Sequence, residues 1–217
     1  GTTLIHDMNW NRDNEIVKTS ARIVTDTTNG YQYLTAGGSA YPILYFKGFK
    51  PGYGIYDVEF TAGTGEGIQV YIGSQSEFSD IVGGLPAAQM YCVWFSPVHS
   101  SVFLNYRSAP GAAYNIFSQP SYTFINGVRY YGRILWTSGN IAVYLGTSLD
   151  NLVRVINYTT SHITNGGYTG LGYVNDREGV KVHAFRVIAA ESTSTNGIAA
   201  CIPPIGGGAR YGEQEKV

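Results

Sequence analysis

Residues 166–187 read GGYTGLGYVNDREGVKVHAFRV, a pattern that indicates two strands joined by a tight polar turn. The first strand contains Gly170 and Gly172, which suit positions where neighbouring backbones approach closely. The second strand alternates from Val180 to Val187 with the period of two that places successive side chains on opposite faces of a sheet. The segment therefore predicts the closing strand pair of an antiparallel sheet.

The rest of the chain repeats this strand pattern and contains almost nothing with a helical period. Runs rich in Val, Ile, Tyr, Phe and Thr alternate with Gly, Pro, Asn and Ser, as in domains built of short strands. The clearest hairpin joins residues 128–137 to residues 140–146. The other predicted strands are residues 16–24, 31–35, 41–49, 53–61, 67–73, 90–96, 101–107, 152–157, 168–174 and 180–188.

These strands, about twelve with no helix, predict an all-β fold, an antiparallel two-sheet jelly-roll sandwich. No break in composition divides them, so residues 1–188 are predicted to form a single β-sandwich domain with ample chain to bury a core. The longest predicted loop spans residues 108–126. Loops of this length in a compact domain are often functional or form interfaces.

The composition excludes several classes of partner. Charged residues make up 13% of the chain and the net charge is −1, which gives no field to attract nucleic acid. No apolar run is long enough to span a bilayer, so membrane insertion is not expected either.

A surface rich in hydroxyls and amides favours an extracellular, cell-surface or virion location. No secretion signal is recognisable, and Gly1 is either a processed mature terminus or a cloning remnant.

Residues 189–217 differ in character from the strands and are predicted to be a C-terminal arm. Ile198, Ile202 and Ile205 are costly to leave in water, so the arm is expected to dock on its own domain or on a neighbour. This favours other protein subunits as partners and a homo-oligomer assembled through the arm.

Two further features bear on the compartment. Cys92 and Cys201 either form a disulfide that ties the arm to the sandwich, as in an oxidising compartment, or are a buried thiol on a strand and a free thiol in a tail. Asn157 begins an Asn-Tyr-Thr triplet, which permits glycosylation if the chain is secreted but also arises by chance.

Three segments together resemble the concanavalin A-like jelly roll, the family of laminin-G-type domains, legume-lectin-like modules and laminarinase-type glycosidases. They are YGIYDVEF at 53–60, the hairpin YGRILW at 131–136 with NIAVYL at 140–145, and the closing pair within 170–187. The resemblance implies the sandwich fold. It leaves the function open, because hydrolases, lectins and structural domains share these motifs.

Candidate catalytic carboxylates are few. The laminarinase-like enzymes that the chain resembles carry a Glu-x-Asp-x-x-Glu strand, whose alternate carboxylates act as nucleophile and acid, and this chain has no such triplet. The nearest pair is Asp57 and Glu59, which share one strand face. We expect that face to be a solvated one, with Tyr56, Val58 and Phe60 facing the core.

Metal and cofactor sites are not predicted, with one weak exception. The histidines are scattered, and none lies at a ligand spacing from Cys, Asp or Glu, which argues against a zinc site or a histidine-based triad. Asn175 and Asp176 are candidates for calcium, as in loops of some relatives. The alternative is a turn that is simply polar.

Aromatic side chains are the remaining candidates for binding a ligand. Sugars are held by stacking on Tyr or Trp while amides and carboxylates bind their hydroxyls, and exposed tyrosines serve equally well in protein interfaces. Alternation predicts that Trp94 and Trp136 are core residues. The ligand-binding candidates are Tyr31, Tyr33, Tyr71, Tyr114 and Tyr122.

Three classes of function remain open. The sequence favours a non-enzymatic structural or adhesion subunit of a virion, filament or cell-surface layer, in contact with other subunits or with glycans. The resemblance implies a carbohydrate-binding module as the alternative. A glycoside hydrolase or polysaccharide lyase would need a carboxylate pair across a cleft.

Overall fold

The computed structural model describes residues 3–7, 16–19, 22–26, 28, 31–35, 43–46, 49–77, 81–82, 85–86, 88–173 and 180–191. Side chains are described at residue 28 and within 49–77, 88–172 and 180–189. The described part is almost entirely β-structure. Its one helical segment is a single 3-10 turn, Leu149–Asn151.

Seventeen strands occur in the described part of the chain. They are β1 (Thr3–Asp7), β2 (Ile16–Thr19), β3 (Arg22–Asp26), β4 (Tyr31–Thr35), β5 (Ile43–Phe46), β6 (Pro51–Thr61), β7 (Ile68–Ser74), β8 (Ile81–Val82), β9 (Leu85–Pro86), β10 (Met90–Ser96), β11 (Ser101–Arg107), β12 (Asn115–Ser118), β13 (Arg129–Thr137), β14 (Asn140–Gly146), β15 (Val153–Thr159), β16 (Tyr168–Tyr173) and β17 (Lys181–Glu191).

The strands form two antiparallel sheets, as the sequence predicts. The eight-stranded sheet has the order β15-β14-β13-β6-β17-β4-β3, and β1 also pairs with β17. The seven-stranded sheet has the order β12-β11-β10-β7-β16-β5-β2. The short strands β8 and β9 pair only with each other. The closing strands β16 and β17 lie in different sheets, so the pair predicted from residues 166–187 spans the sandwich rather than forming one hairpin.

The core lies between the two sheets and is built by the period-two alternation of both. Tyr56, Val58 and Phe60 point inward from β6, and Trp136 points inward from β13 and is fully buried. The Trp136 indole packs edge-on against Tyr91, with ring centroids 5.8 Å apart. The indole thereby joins the central strands of the two sheets.

The strand boundaries depart from the predicted ones at several places: β1, β8 and β9 were not predicted, and β17 continues to Glu191, into the segment predicted as an arm. Two further departures concern the topology. The predicted strand 16–24 is two strands, and the chain passes from the seven-stranded sheet (β2) to the eight-stranded sheet (β3) between them. The predicted loop 108–126 contains β12, which pairs with β11 at the edge of the seven-stranded sheet. Both departures have the same cause: strand pairing is decided by tertiary neighbours that local composition does not reveal.

Candidate functional site

The outer face of the seven-stranded sheet carries aromatic, amide and thiol side chains close together. Tyr91, Val93 and Phe95 of β10 belong to the core, so the alternate residues, Cys92 and Trp94 among them, point outward. The prediction that Trp94 is a core residue is therefore wrong. Every residue from Met90 to Phe95 is apolar or aromatic, so alternation alone does not tell the inner set from the outer one.

Strand register arranges the outer-face residues in two rows across four strands. The first row is Phe103, Trp94, Gln69 and Gly172, and the second is Asn105, Cys92, Tyr71 and Gly170. Gln69 and Asn105 are almost fully buried, so their amides are enclosed at the floor of the face. The rows place aromatic rings beside amide groups on a rigid sheet.

Trp94 is half-buried and held on three sides. Its indole stacks on Phe103 with ring centroids 4.6 Å apart and an interplanar angle of 23°. Its Nε1 donates a hydrogen bond to the carbonyl oxygen of Glu66 at 2.5 Å. The exposed His99 packs edge-on, 5.1 Å away, and its Nδ1 lies 2.8 Å from the hydroxyl of Ser96. These contacts fix the orientation of the indole.

Tyr71 lies flat across the neighbouring strand β16. It is almost fully buried, and its hydroxyl donates to Oε1 of Gln69 at 2.7 Å. A Cβ atom at Gly172 would overlap that hydroxyl, so glycine is required beneath the ring. The closely spaced glycines of the 166–187 segment are the sequence signal for this contact.

Tyr114 covers the second row from the loop before β12. It packs against the cluster of Tyr71, Ala88, Met90 and Cys92, and the guanidinium of the buried Arg107 lies 5.7 Å from the centre of its ring. Burial raises the pKa of the Tyr114 hydroxyl and of the Cys92 thiol. Both groups therefore stay protonated at neutral pH.

Tyr168 and Lys50 form the rim of the face on the side of β16. The Tyr168 ring is half-buried against the same cluster. The exposed Lys50 places its Nζ 4.8 Å from the centre of that ring, within the range of a cation–π contact. The rim therefore combines an aromatic surface with a positive charge.

The five tyrosines named from the sequence do not form one platform. The structure brings Tyr71 and Tyr114 together on the outer face. Tyr122 instead packs on the core, with its ring centroid 4.8 Å from that of Phe124. Tyr31 and Tyr33 lie on β4 in the other sheet, and their side chains are outside the described residues.

Asp57 and Glu59 are not on a solvated strand face, which corrects that expectation. Asp57 is 1% exposed and accepts two hydrogen bonds from Arg133, from Nε at 2.8 Å and from Nη2 at 2.9 Å. Glu59 is 8% exposed and pairs with Arg129. Burial raises the pKa of both carboxyls, while the arginines act in the opposite direction. The local pattern missed this because Arg129 and Arg133 are distant in sequence.

His183, close to these ion pairs, makes the stability of the fold depend on pH. Its Nε2 lies 2.7 Å from the hydroxyl of Thr61, and burial, aided by the charges of Arg129 and Lys181, lowers its pKa to about 4. The unfolded chain, with a His pKa of 6.5, binds the proton first as the pH falls. The contribution of His183 to stability is therefore complete above pH 6.5 and is lost towards pH 4.

We expect this loss to be about 1–2 kcal/mol after allowance for the partial exposure of the ring. Urea unfolding at pH 7.5 and pH 4.5 measures it, with His183→Gln as the control that keeps a hydrogen-bonding group near Thr61. The variant should lose less stability than the parent between the two pH values. Equal losses in the two proteins would contradict the role of His183.

Of the remaining predicted sites, some lie within the described residues and others lie outside them. Asn157 is exposed, and its Oδ1 accepts a hydrogen bond from Asn140 Nδ2 at 2.9 Å. Cys92 is fully buried, whereas Cys201 lies outside the described residues, so the disulfide stays a prediction. The calcium candidates Asn175 and Asp176 also lie outside them.

The described residues contain neither a metal-binding cluster nor a membrane-spanning helix. No group of three or more His, Cys, Asp or Glu side chains in them could hold a metal ion. Among the same residues, no helix has the length and apolar character needed to cross a membrane.

Comparison with known proteins identifies the fold of the chain but not its function. Neither a protein-family model nor a curated protein sequence matches the chain. Three of the similar solved structures are the exoplasmic/lumenal domain of VIP36 with Ca²⁺ and Man3GlcNAc (TM-score 0.63, 9% identity, 82% of this chain and 86% of that one), the carbohydrate-binding module CBM66 from Bacillus subtilis (0.53, 15%, 81% and 92%) and the Crh5 transglycosylase in complex with NAG (0.58, 13%, 88% and 86%).

These likenesses confirm the predicted resemblance to concanavalin A-like sandwiches. At such identities they establish the fold alone, because one fold supports binding proteins and enzymes alike.

Proposed function

We propose that this concanavalin A-like sandwich is a non-enzymatic carbohydrate-binding domain whose ligand contacts the outer face of the seven-stranded sheet at Trp94. The observation that carries the proposal is the half-buried indole of Trp94, backed by Phe103 and fixed through its N–H to the Glu66 carbonyl. Sugar rings present apolar C–H faces that pack on aromatic rings of this kind. An indole that is already immobilised loses little conformational freedom on binding.

Polar groups beside Trp94 supply hydrogen bonds for sugar hydroxyls. His99 is exposed at the edge of the indole, and Glu66 is half-buried next to it. A small set of fixed polar groups around an aromatic surface is typical of small-ligand sites. Two similar structures are named for the same class of ligand, a carbohydrate: the VIP36 domain bound to Man3GlcNAc and the carbohydrate-binding module CBM66.

The positions of the two candidate catalytic carboxylates, Asp57 and Glu59, support a non-enzymatic role. A glycoside hydrolase of the usual kind needs two carboxyl groups that face the substrate from opposite sides of the bond to be cleaved. Asp57 is enclosed in its ion pair with Arg133, and Glu59 is paired with Arg129. Both lie on the eight-stranded sheet, on a different face from Trp94.

Replacement of Trp94 tests the proposal. We expect Trp94→Ala to weaken binding to an immobilised glycan panel at least about tenfold, since the stacking surface carries much of a modest affinity. Tyr144→Ala is the matched control, because Tyr144 is a half-buried aromatic on the other sheet. Equal binding by the parent and Trp94→Ala, or equal loss in the two variants, would contradict the proposed site.

An assembly role is the second candidate, and exposed apolar residues favour it. Ile116 on β12 and Val153 on β15 are 56% and 64% exposed. Their strands lie at neighbouring edges of the two sheets, where Phe117 stacks on Tyr158. Exposed apolar residues at strand edges suit contact with another subunit. The predicted docking of the arm, residues 189–217, on a neighbour belongs to the same hypothesis.

Light scattering tests this second role on the full chain and on a chain that stops after Glu191, the last residue of β17. Assembly through the arm predicts an oligomer for the first and a monomer for the second. The same mass for both would remove the arm from the proposal. An extracellular, cell-surface or virion location fits either role and is proposed with them.

A further inference from the structure

The loop between β15 and β16, residues 160–167, is held rigidly in its first half. The buried hydroxyl of Tyr91 lies 3.0 Å from Thr160 Oγ1 and accepts a hydrogen bond from the backbone N–H of Ile163 at 3.0 Å. The backbone N–H of Thr160 donates to the carbonyl oxygen of Gly139 at 3.0 Å. The Ile163 side chain is itself part of the core, so the loop is anchored at its centre.

The second half of the loop is held as well. Gln75 Nε2 donates to the carbonyl oxygen of Gly166 at 2.8 Å, and the backbone N–H of Gly167 donates to the carbonyl oxygen of Pro51 at 3.1 Å. Between these anchors the loop displays four exposed polar residues: Ser161, His162, Thr164 and Asn165. Their hydroxyl, imidazole and amide groups are thus presented on a fixed backbone.

A group of nearly parallel rings adjoins this loop. The His162 imidazole stacks on Tyr106 with centroids 4.5 Å apart, and Phe117 stacks on Tyr158 at 4.7 Å. Phe117 also stacks on Tyr106, and it lies 5.6 Å from His162. Parallel rings on opposite faces of Tyr106 would be about 7 Å or more apart, twice the contact distance of roughly 3.5 Å. His162 and Phe117 therefore lie side by side on one face of Tyr106.

We infer that this edge is a second carbohydrate-binding site, made by the 160–167 loop together with His162, Phe117 and Tyr158. Half-exposed rings beside fixed hydroxyl and amide groups are the chemistry that recognises a sugar face and its hydroxyls. The site differs in place from the first, because Trp94 points from the outer face of the seven-stranded sheet, whereas these rings close the gap between β12 and β15. Only the ligand class rests on the proposed function.

Nuclear magnetic resonance titration of the ¹⁵N-labelled full chain with mannotriose and, separately, cellotriose tests the inference. We expect the backbone signals of residues 161–165 to shift saturably, in addition to the indole signal of Trp94. In His162→Ala the apparent affinity at the loop should fall about tenfold while the Trp94 response stays unchanged. Arg154→Lys, an exposed change on the same strand as Tyr158, should leave both responses intact.

The outcomes separate the two sites. A response at Trp94 without one at residues 161–165 overturns the second site and leaves the proposed function standing. A response at the loop without one at Trp94 overturns the Trp94 site and supports the second. No response at either place with either trisaccharide overturns both, and an unchanged loop response in His162→Ala overturns the role given to the ring.

Discussion

Arg133→Met is expected to lower the free energy of unfolding by about 3–5 kcal/mol, because it leaves the Asp57 carboxylate buried without its bidentate partner. Asp57 and Arg133 are 1% and 5% exposed, so water does not replace the lost hydrogen bonds. Arg186 lies opposite Asp57 in the register of β17 and β6, but its charge alone does not reproduce the paired hydrogen bonds. Urea denaturation of the parent and the variant measures the difference.

The double variant Asp57→Asn/Arg133→Gln is the control for this prediction. Two neutral amides can hydrogen-bond to each other, and no unpaired carboxylate remains, so the double variant should recover at least half of the loss. A double variant no more stable than Arg133→Met would show that the cost comes from packing of the arginine stem or from Arg186, which loses the neighbouring charge of Asp57, and not from the unpaired carboxylate.

Gly67→Ala is expected to cost about 3 kcal/mol or more, the second large effect. Gly67 has a φ of +82°, and a Cβ atom there would overlap the backbone carbonyl oxygen of Phe95. The substitution adds steric overlap with the neighbouring backbone to the strain of a left-handed conformation, about 1–2 kcal/mol for a non-glycine residue. Neither atom of the overlap is at the end of a flexible side chain, so the loop must move.

Gly127→Ala provides a matched control, since Gly127 has the same φ of +82° and open space around the position of a Cβ atom. It should show the conformational strain alone, and chemical denaturation of both variants isolates the steric part. The binding site should respond too, because Gly67 follows Glu66, whose carbonyl oxygen holds the Trp94 indole. Equal destabilisation by the two variants would contradict this account of Gly67.

The fold was predictable because its signals are local. The strands at 31–35, 90–96, 101–107 and 140–146 have the predicted bounds, since alternation and turn residues mark them directly. Strand β12 was missed: its four residues, Asn115–Ser118, are exposed or half-buried and carry no alternating pattern. It exists because the edge of β11 offers hydrogen bonds.

The candidate site was predictable only in part. Tyr71 and Tyr114 were named from the sequence and do lie together, but Trp94 was assigned to the core, because both faces of β10 carry apolar residues. The ion pair of Asp57 with Arg133 joins residues 76 positions apart. No local spacing predicts such a pairing, whereas the alternation that puts both residues on the outer face of their sheet is local.

Fluorine NMR of protein labelled with 5-fluorotryptophan tests the central claim most directly. The chain has three tryptophans, so the signal of Trp94 is assigned by its loss in Trp94→Phe, and buried Trp136 serves as an internal reference. Carbohydrate binding at the outer face predicts that an oligosaccharide bound by the parent shifts the Trp94 signal saturably and leaves the Trp136 signal in place. Saturable binding with an unmoved Trp94 signal would contradict the account.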